Sequence, residues 1–163
     1  MSEIELLKKN PNKLANLLSC ALSQAEQDKI INIAHKHTKL LMKLSRHHLL
    51  FAISIKGNYA WRQKVSRSYY ACYNASKALR LFNRGHYSQE SKDHEKIGDL
   101  PKTFNDKPFW DNFLTKLRSD RNLADYDHVK KSIDMEYTPK EYLKHSEKFF
   151  NEAKAYLKDR SIL

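Results

Sequence analysis

Residues 59–83 read YAWRQKVSRSYYACYNASKALRLFN. Val65, Tyr69, Cys72, Ser76, Leu79 and Phe82 recur at three- and four-residue steps. That spacing marks one stripe of an amphipathic helix and excludes the two-residue alternation of a strand. Gly85 follows as a C-terminal stop, because glycine tolerates the left-handed conformation in which many helices end.

The same period continues outward on both sides. Upstream, Ser23-Gln-Ala-Glu26 has capping-box form. Ile30, Ile33, Ala34, His37, Leu41, Leu44, Phe51, Ala52 and Ile55 then predict one long helix ending near Gly57. Residues 6–22 read as one or two short helices around Asn10-Pro11, an N-terminal extension to a main domain over residues 23–163. Downstream, residues 84–91 read as a loop, and a short helix is expected over Lys92–Leu100, stopped by Pro101. Asp106 is expected to cap the next helix, with Pro108 in its first turn and a stripe of Trp110, Leu114 and Leu117. Thr138-Pro-Lys-Glu141 starts the last, whose apolar face is Tyr142, Phe149, Phe150, Ala153, Tyr156 and Leu157. The expected fold is all-α, an up-and-down bundle of four main helices with short accessory helices.

Composition agrees. The 163 residues suit one domain, and 40% hydrophobic with 30% charged residues excludes a largely disordered chain. Three Gly and four Pro are too few for the many turns of a sandwich or barrel. The longest uncharged apolar stretch, Leu49–Ile55, is too short to cross a bilayer, and the N-terminus has no signal-peptide core, so a soluble, cytoplasmic protein without a membrane partner is expected. Cys20 and Cys72 suggest no disulfide framework. No metal is expected: His35 with His37, and His47 with His48, point to different helix faces, as solvated or packing residues would. The net charge is +11, and residues 1–90 hold fifteen Lys/Arg against five Asp/Glu. Such an excess favours a polyanionic partner such as RNA or DNA.

One segment breaks the amphipathic rule. The stripe Trp110, Leu114, Leu117 continues at the same spacing into Arg121, Asp125 and His128, polar groups on a face that should be core. His128 can move protons near neutral pH, and Arg121 can grip phosphate bidentately. Asp125 can orient His128 or hold Arg121; Asn122 and Tyr126 stand beside them, Tyr126 able to stack on a base. The plainer alternative is an Arg121–Asp125 salt bridge with a solvated His128 at the helix end. Arg67, Tyr70, Asn74 and Lys77 share a face of the preceding long helix, either as a basic wall or with Tyr70 and Tyr73 in the core.

The stretch SRSYYACYNASKAL (Ser66–Leu79), with Asp93-His94-Glu95-Lys96 and the R-x-x-A-D-Y segment Arg121–Tyr126, resembles HEPN domains. The resemblance covers about residues 26–160 in helix order. It implies a helical bundle that dimerises so that two motifs line one cleft, and a metal-independent endoribonuclease without cofactors. The family motif, Arg, a polar residue and then His, falls here on Arg121, Asn122 and His128. By the resemblance His128 acts as acid or base, Arg121 stabilises the charged transition state, and Asn122 hydrogen bonds to phosphate or stabilises the Arg. Asn122, Arg67, Lys77 and Tyr126 are the expected substrate-binding residues, with Asp125 and His94 supporting. The implied biology is a toxin or antiviral defence effector, with a minimal nucleotidyltransferase as antitoxin partner. The alternative is a non-catalytic nucleotide- or RNA-binding module that pairs with such a nucleotidyltransferase. In some members a Tyr two residues after the motif His is modified; here that position is Lys130.

Overall fold

The computed structural model describes residues 2–57 and 60–163. Its elements are α1 (Glu3–Lys8), α2 (Pro11–Leu17), α3 (Gln24–Ser54), α4 (Trp61–Arg84), a 3₁₀ turn (Ser91–Lys96), α5 (Lys107–Tyr126), a second 3₁₀ turn (Ser132–Asp134) and α6 (Pro139–Lys158). The described residues form an all-α bundle in which α3, α4, α5 and α6 are the long members. The expected start of α4 at Tyr59 lies outside the described residues.

Long-range contacts set the directions. His35 meets Phe82 while Phe51 meets Arg67, so α3 and α4 are antiparallel. Arg62 meets the end of α5 while Tyr70 meets Arg121 earlier in α5. Trp110 meets Phe149, and Asp120 meets Tyr142, which reverses α6 against α5. Each long helix therefore runs opposite to the one before it, the up-and-down topology that short connections favour.

Local signals act as the sequence implies at three termini. Ser23 and Thr138 close reciprocal capping boxes with Glu26 and Glu141, and Gly85 ends α4 at φ 65°. On α6 the expected face is buried in full: Tyr142, Phe149, Phe150, Ala153, Tyr156 and Leu157. Trp110, Phe113 and Phe149 pack around it as an aromatic cluster. Asp106 departs from expectation: it precedes α5 in the left-handed region, and its side chain makes no cap bond. The expected helix over Lys92–Leu100 is instead a 3₁₀ turn, pinned by Asp93, whose carboxylate is buried against α4.

The helix α3 turns a different face inward from the one its large residues mark. Its buried positions are Ala34, Thr38, Met42, Ser45, Leu49 and Ala52. Leu44 and Phe51 are exposed, as are Leu40, Leu50 and Ile53. The cause is close approach to α4, where Ala71, Ala75 and Ala78 are fully buried and Ser45 Oγ donates to the Ala71 carbonyl at 2.7 Å. Ala34, Thr38, Ser45 and Ala52 on α3 and the α4 alanines allow that approach, with Met42 and Leu49 the two large side chains of α3 buried beside them. The α4 helix is central, buried at almost every position from Val65 to Leu81.

Residues 2–22 pack against the bundle's far end. Leu7 is buried with Ala34 and Leu81, and Asn10 Nδ2 donates to the Arg84 carbonyl at 2.8 Å.

A candidate cleft with two histidines

An open cleft of about 860 Å³ lies where α3, α4 and the end of α5 meet. Its walls are built from His48 on α3, from Arg62, Ser66, Arg67 and Tyr70 on α4, and from Asp125 to His128 on and after α5. Arg62, Ser66 and Tyr70 share a face because they stand four residues apart.

The local fold is set by Arg62. Its Nη1 donates to the carbonyls of Ala124 (2.8 Å), Asp127 (2.6 Å) and Leu123 (3.2 Å), and Nη2 to that of Lys130 (2.7 Å). The last carbonyls of a helix have no intrahelical partner. Here one guanidinium from another helix reaches two of them, Leu123 and Ala124, and ties the chain beyond the helix to the same point. The chain then turns: Asp127 caps α5, and its Oδ1 accepts from the Val129 and Lys130 amides at 2.9 and 3.1 Å. Those amide bonds hold the Asp127 carboxyl below its ordinary pKa.

The helix therefore ends at Tyr126, and His128 does not continue the stripe of Arg121 and Asp125. This corrects the expectation of three polar groups stacked one above another. His128 sits on the turn that Arg62 fixes, exposed, on the rim of the cleft.

Arg121 stands behind the cleft rather than on its surface. Its Nε lies 2.8 Å from Asp125 Oδ2 without the alignment of a hydrogen bond, and Nη2 donates to the Tyr70 hydroxyl. Its guanidinium carbon is 5.1 to 5.4 Å from the ring centres of Tyr69, Tyr70 and Tyr126. Burial opposes the Arg121 charge, but Tyr70 and Asp125 outweigh it and raise its pKa. The Arg121–Asp125 pairing expected of the plainer alternative is thus present, and Tyr70 carries its influence to the cleft wall.

The other expected site residues divide. Tyr126 and Asp125 line the cleft, and Ser66 Oγ donates to Asp125 Oδ2 at 3.4 Å. Asn122 Oδ1 accepts from Arg121 Nη1 at 3.1 Å and opens onto a neighbouring shallow groove with Tyr126 and His128. Arg67 is a cleft residue: its guanidinium lies 5.0 Å from the Phe51 ring centre and, among the described residues, forms no ion pair. Lys77 is not a cleft residue, which corrects the expected basic wall. It is 8% exposed, donates to the Ser88 carbonyl, and stands 4.0 Å from the buried Asp93. Burial lowers its pKa against the pull of Asp93.

His94 takes the packing role. Its ring stacks on Tyr73 at 4.2 Å and its Nδ1 is 2.6 Å from the Tyr69 hydroxyl, while burial and then Arg121 lower its pKa. No group of His, Cys, Asp or Glu among the described residues has the geometry to hold a metal ion.

His48 and Arg62 emerge as site residues, and Tyr70, expected on a basic wall or in the core, lines the cleft against Arg121. His48 stacks on Tyr70 at 5.4 Å, and burial followed by Arg67 lowers its pKa. Its four-residue distance from Ala52, on the buried face, was the signal available in the sequence.

The class so defined is an all-α bundle with a polar cleft that carries two imidazoles, two arginines and two aspartates at the junction of three helices. No protein-family model, curated protein or solved structure matches the chain.

Proposed function

We propose that this chain is a HEPN-type, metal-independent endoribonuclease that cleaves RNA through attack of the substrate 2′-hydroxyl. The observation that carries the reading is His128, exposed and held by Arg62 on the rim of a cleft that also presents Arg67, a cation without an ion-pair partner among the described residues. A cation contributes phosphate binding, and an imidazole contributes proton transfer. Arg121 contributes through Tyr70: the bond from Nη2 polarises the phenol, whose hydroxyl is placed to donate to a phosphate oxygen as charge develops. The net charge of +11 supports a polyanionic partner.

The second reading, a non-catalytic HEPN module that binds RNA or a nucleotidyltransferase, draws on one observation. Arg121 is already engaged by Asp125 within the chain. A toxin or antiviral role, with a nucleotidyltransferase as antitoxin, belongs to the first reading as its biological setting. A homodimer is part of both. Arg121 and Asp125 need no second copy to pair, but the exposed row Leu40, Leu44, Phe51 on α3 adjoins the cleft and offers apolar area for one. Light scattering at micromolar concentration should give twice the chain mass, and Leu44→Glu should halve it.

The deciding experiment is cleavage of a single-stranded RNA in excess EDTA. Cleavage should persist, leave 2′,3′-cyclic phosphate ends, and spare DNA. His128→Ala should slow it by roughly 10²–10⁴-fold with RNA binding retained. RNA bound but left uncut by the wild type favours the binding module.

A further inference from the structure

We infer that His48 is the second proton-carrying residue of the cleft, taking the proton from the attacking 2′-hydroxyl while His128 supplies one to the leaving oxygen. This rests on the cleavage reading above.

The two imidazoles reach the cleft from different elements. His48 comes from the last two turns of α3, and His128 from the turn after α5, so they face the same space from separate walls. In-line displacement at phosphorus needs that arrangement, because the attacking and leaving oxygens lie on opposite sides of the phosphorus. One imidazole cannot serve both oxygens at once without a large movement.

His48 is also held in place. Its ring lies on Tyr70, at an interplanar angle of 29°. Among the described residues neither ring nitrogen has a hydrogen-bond partner, so one is available to accept a proton. The nearest groups are cationic or neutral: Arg67 and Tyr70 on α4 and His47 on its own helix. Across the cleft stand Arg62, His128 and two carboxylates, Asp125 against Arg121 and Asp127 turned to the Val129 and Lys130 amides. Burial and Arg67 favour the neutral ring, the form a base requires.

The step balances without an outside reagent. Neutral His48 removes the 2′-hydroxyl proton as the 2′-oxygen bonds to phosphorus. The bond from phosphorus to the 5′-oxygen breaks, and that oxygen takes a proton from protonated His128. The products are a 2′,3′-cyclic phosphate and a 5′-hydroxyl, and the histidines regain their starting forms by exchange with water. Arg67 neutralises a non-bridging oxygen throughout.

A substrate with sulfur in place of the bridging 5′-oxygen separates the roles, because a thiolate leaves without a proton. Purified wild-type protein, His48→Gln, His128→Ala and, as a control on the exposed neighbour, His47→Gln should each be assayed on the ordinary and the thio-substituted RNA. Circular dichroism and RNA affinity would be measured alongside. On ordinary RNA both cleft variants should be slowed by roughly 10²–10⁴-fold, with affinity within about threefold of wild type. On the thio substrate His128→Ala should recover most of the rate, His48→Gln should stay slow, and His47→Gln should match wild type on both. Cleavage by His48→Gln at the wild-type rate overturns the assignment and leaves the nuclease reading standing. Recovery of His48→Gln on the thio substrate assigns it the acid role and overturns the base. Loss of RNA affinity in proportion to rate reduces His48 to a binding residue. A wild-type protein that leaves both substrates intact overturns the nuclease reading and this assignment together.

Discussion

Two Arg–Asp pairs share this molecule and differ in what surrounds them. Arg80 and Asp93 are closed off: both side chains are fully buried, with two parallel bonds of 2.8 and 2.9 Å between them. The Tyr73 hydroxyl donates to Asp93 at 2.7 Å, and His86 lies 3.3 Å away. Burial works against the Asp93 charge, yet Arg80 and Tyr73 outweigh it and hold the carboxyl far below its ordinary pKa. Arg121 and Asp125 meet through one unaligned contact of 2.8 Å, with 13% and 21% of their side chains exposed, at the back of an open cleft. The first pair has little capacity left for a ligand. The second has spare donors and acceptors, and water beside it. The chemistry of the residues is the same, and the environment decides which pair is structural.

The sharpest way to break the contrast is to remove one partner from each pair. Asp93→Ala leaves Arg80 buried without a counter-charge and should cost about 3–5 kcal/mol in a urea titration. If it costs under 1 kcal/mol, the buried network does not hold the 3₁₀ turn to α4. Arg62→Ala ranks next. It strips the bonds from the α5 carbonyls, and should cost about 1.5–3 kcal/mol and speed amide exchange over residues 123–130. Asp125→Ala should cost about 1 kcal/mol or less, since the pair meets through one unaligned contact beside open solvent and Tyr70 still accepts from Arg121. Its stronger effect should be on RNA affinity, which should rise as a negative charge leaves the cleft wall, measured by fluorescence anisotropy at fixed salt.

The smallest effect is titration. Burial lowers the pKa of His35, His48, His86, His94 and His145. The folded chain then binds fewer protons than the unfolded one just below the ordinary histidine value of about 6.5, so stability falls as pH drops through that window. Asp93 acts later: its contribution is present above the unfolded carboxylate pKa of about 3.9 and is lost only as pH falls toward its depressed folded value. Urea midpoints should therefore decline gently from pH 7 to 5 and steeply below 4. In Asp93→Ala the steep phase should shrink while the gentle one persists.

What the sequence reveals follows the range of the interactions involved. The capping boxes of α3 and α6 depend on residues three apart, and the α6 face on a strong period, so both are legible. The Arg121–Asp125 pair is legible for the same reason, as one helical turn joins it. The inward face of α3 is not. Its large apolar residues point to Leu44 and Phe51, whereas close packing on the alanines of α4 selects a face of mostly small residues, with Met42 and Leu49 among them. Nor is the end of α5, because the side chain that satisfies its carbonyls lies more than sixty residues upstream. Lys77 shares a helical face with Arg67, but a 3₁₀ turn brings Asp93 over it and closes that face.

The bond between Asn10 and the Arg84 carbonyl has a consequence for how the chain is made. Asn10 sits at the start of α2, Asn12 Nδ2 reaches the Phe82 carbonyl at 3.4 Å, and Gly85 leaves only 3.0 Å between the place of a Cβ and the Asn12 amide. At six and seven residues, α1 and α2 are too short to persist alone in water. Their docking point is the last turn of α4, which the ribosome delivers more than seventy residues later. The α1–α2 segment, synthesised before α4, therefore waits, unstructured, until α4 has emerged to its glycine, and order of assembly runs opposite to order of translation between these elements.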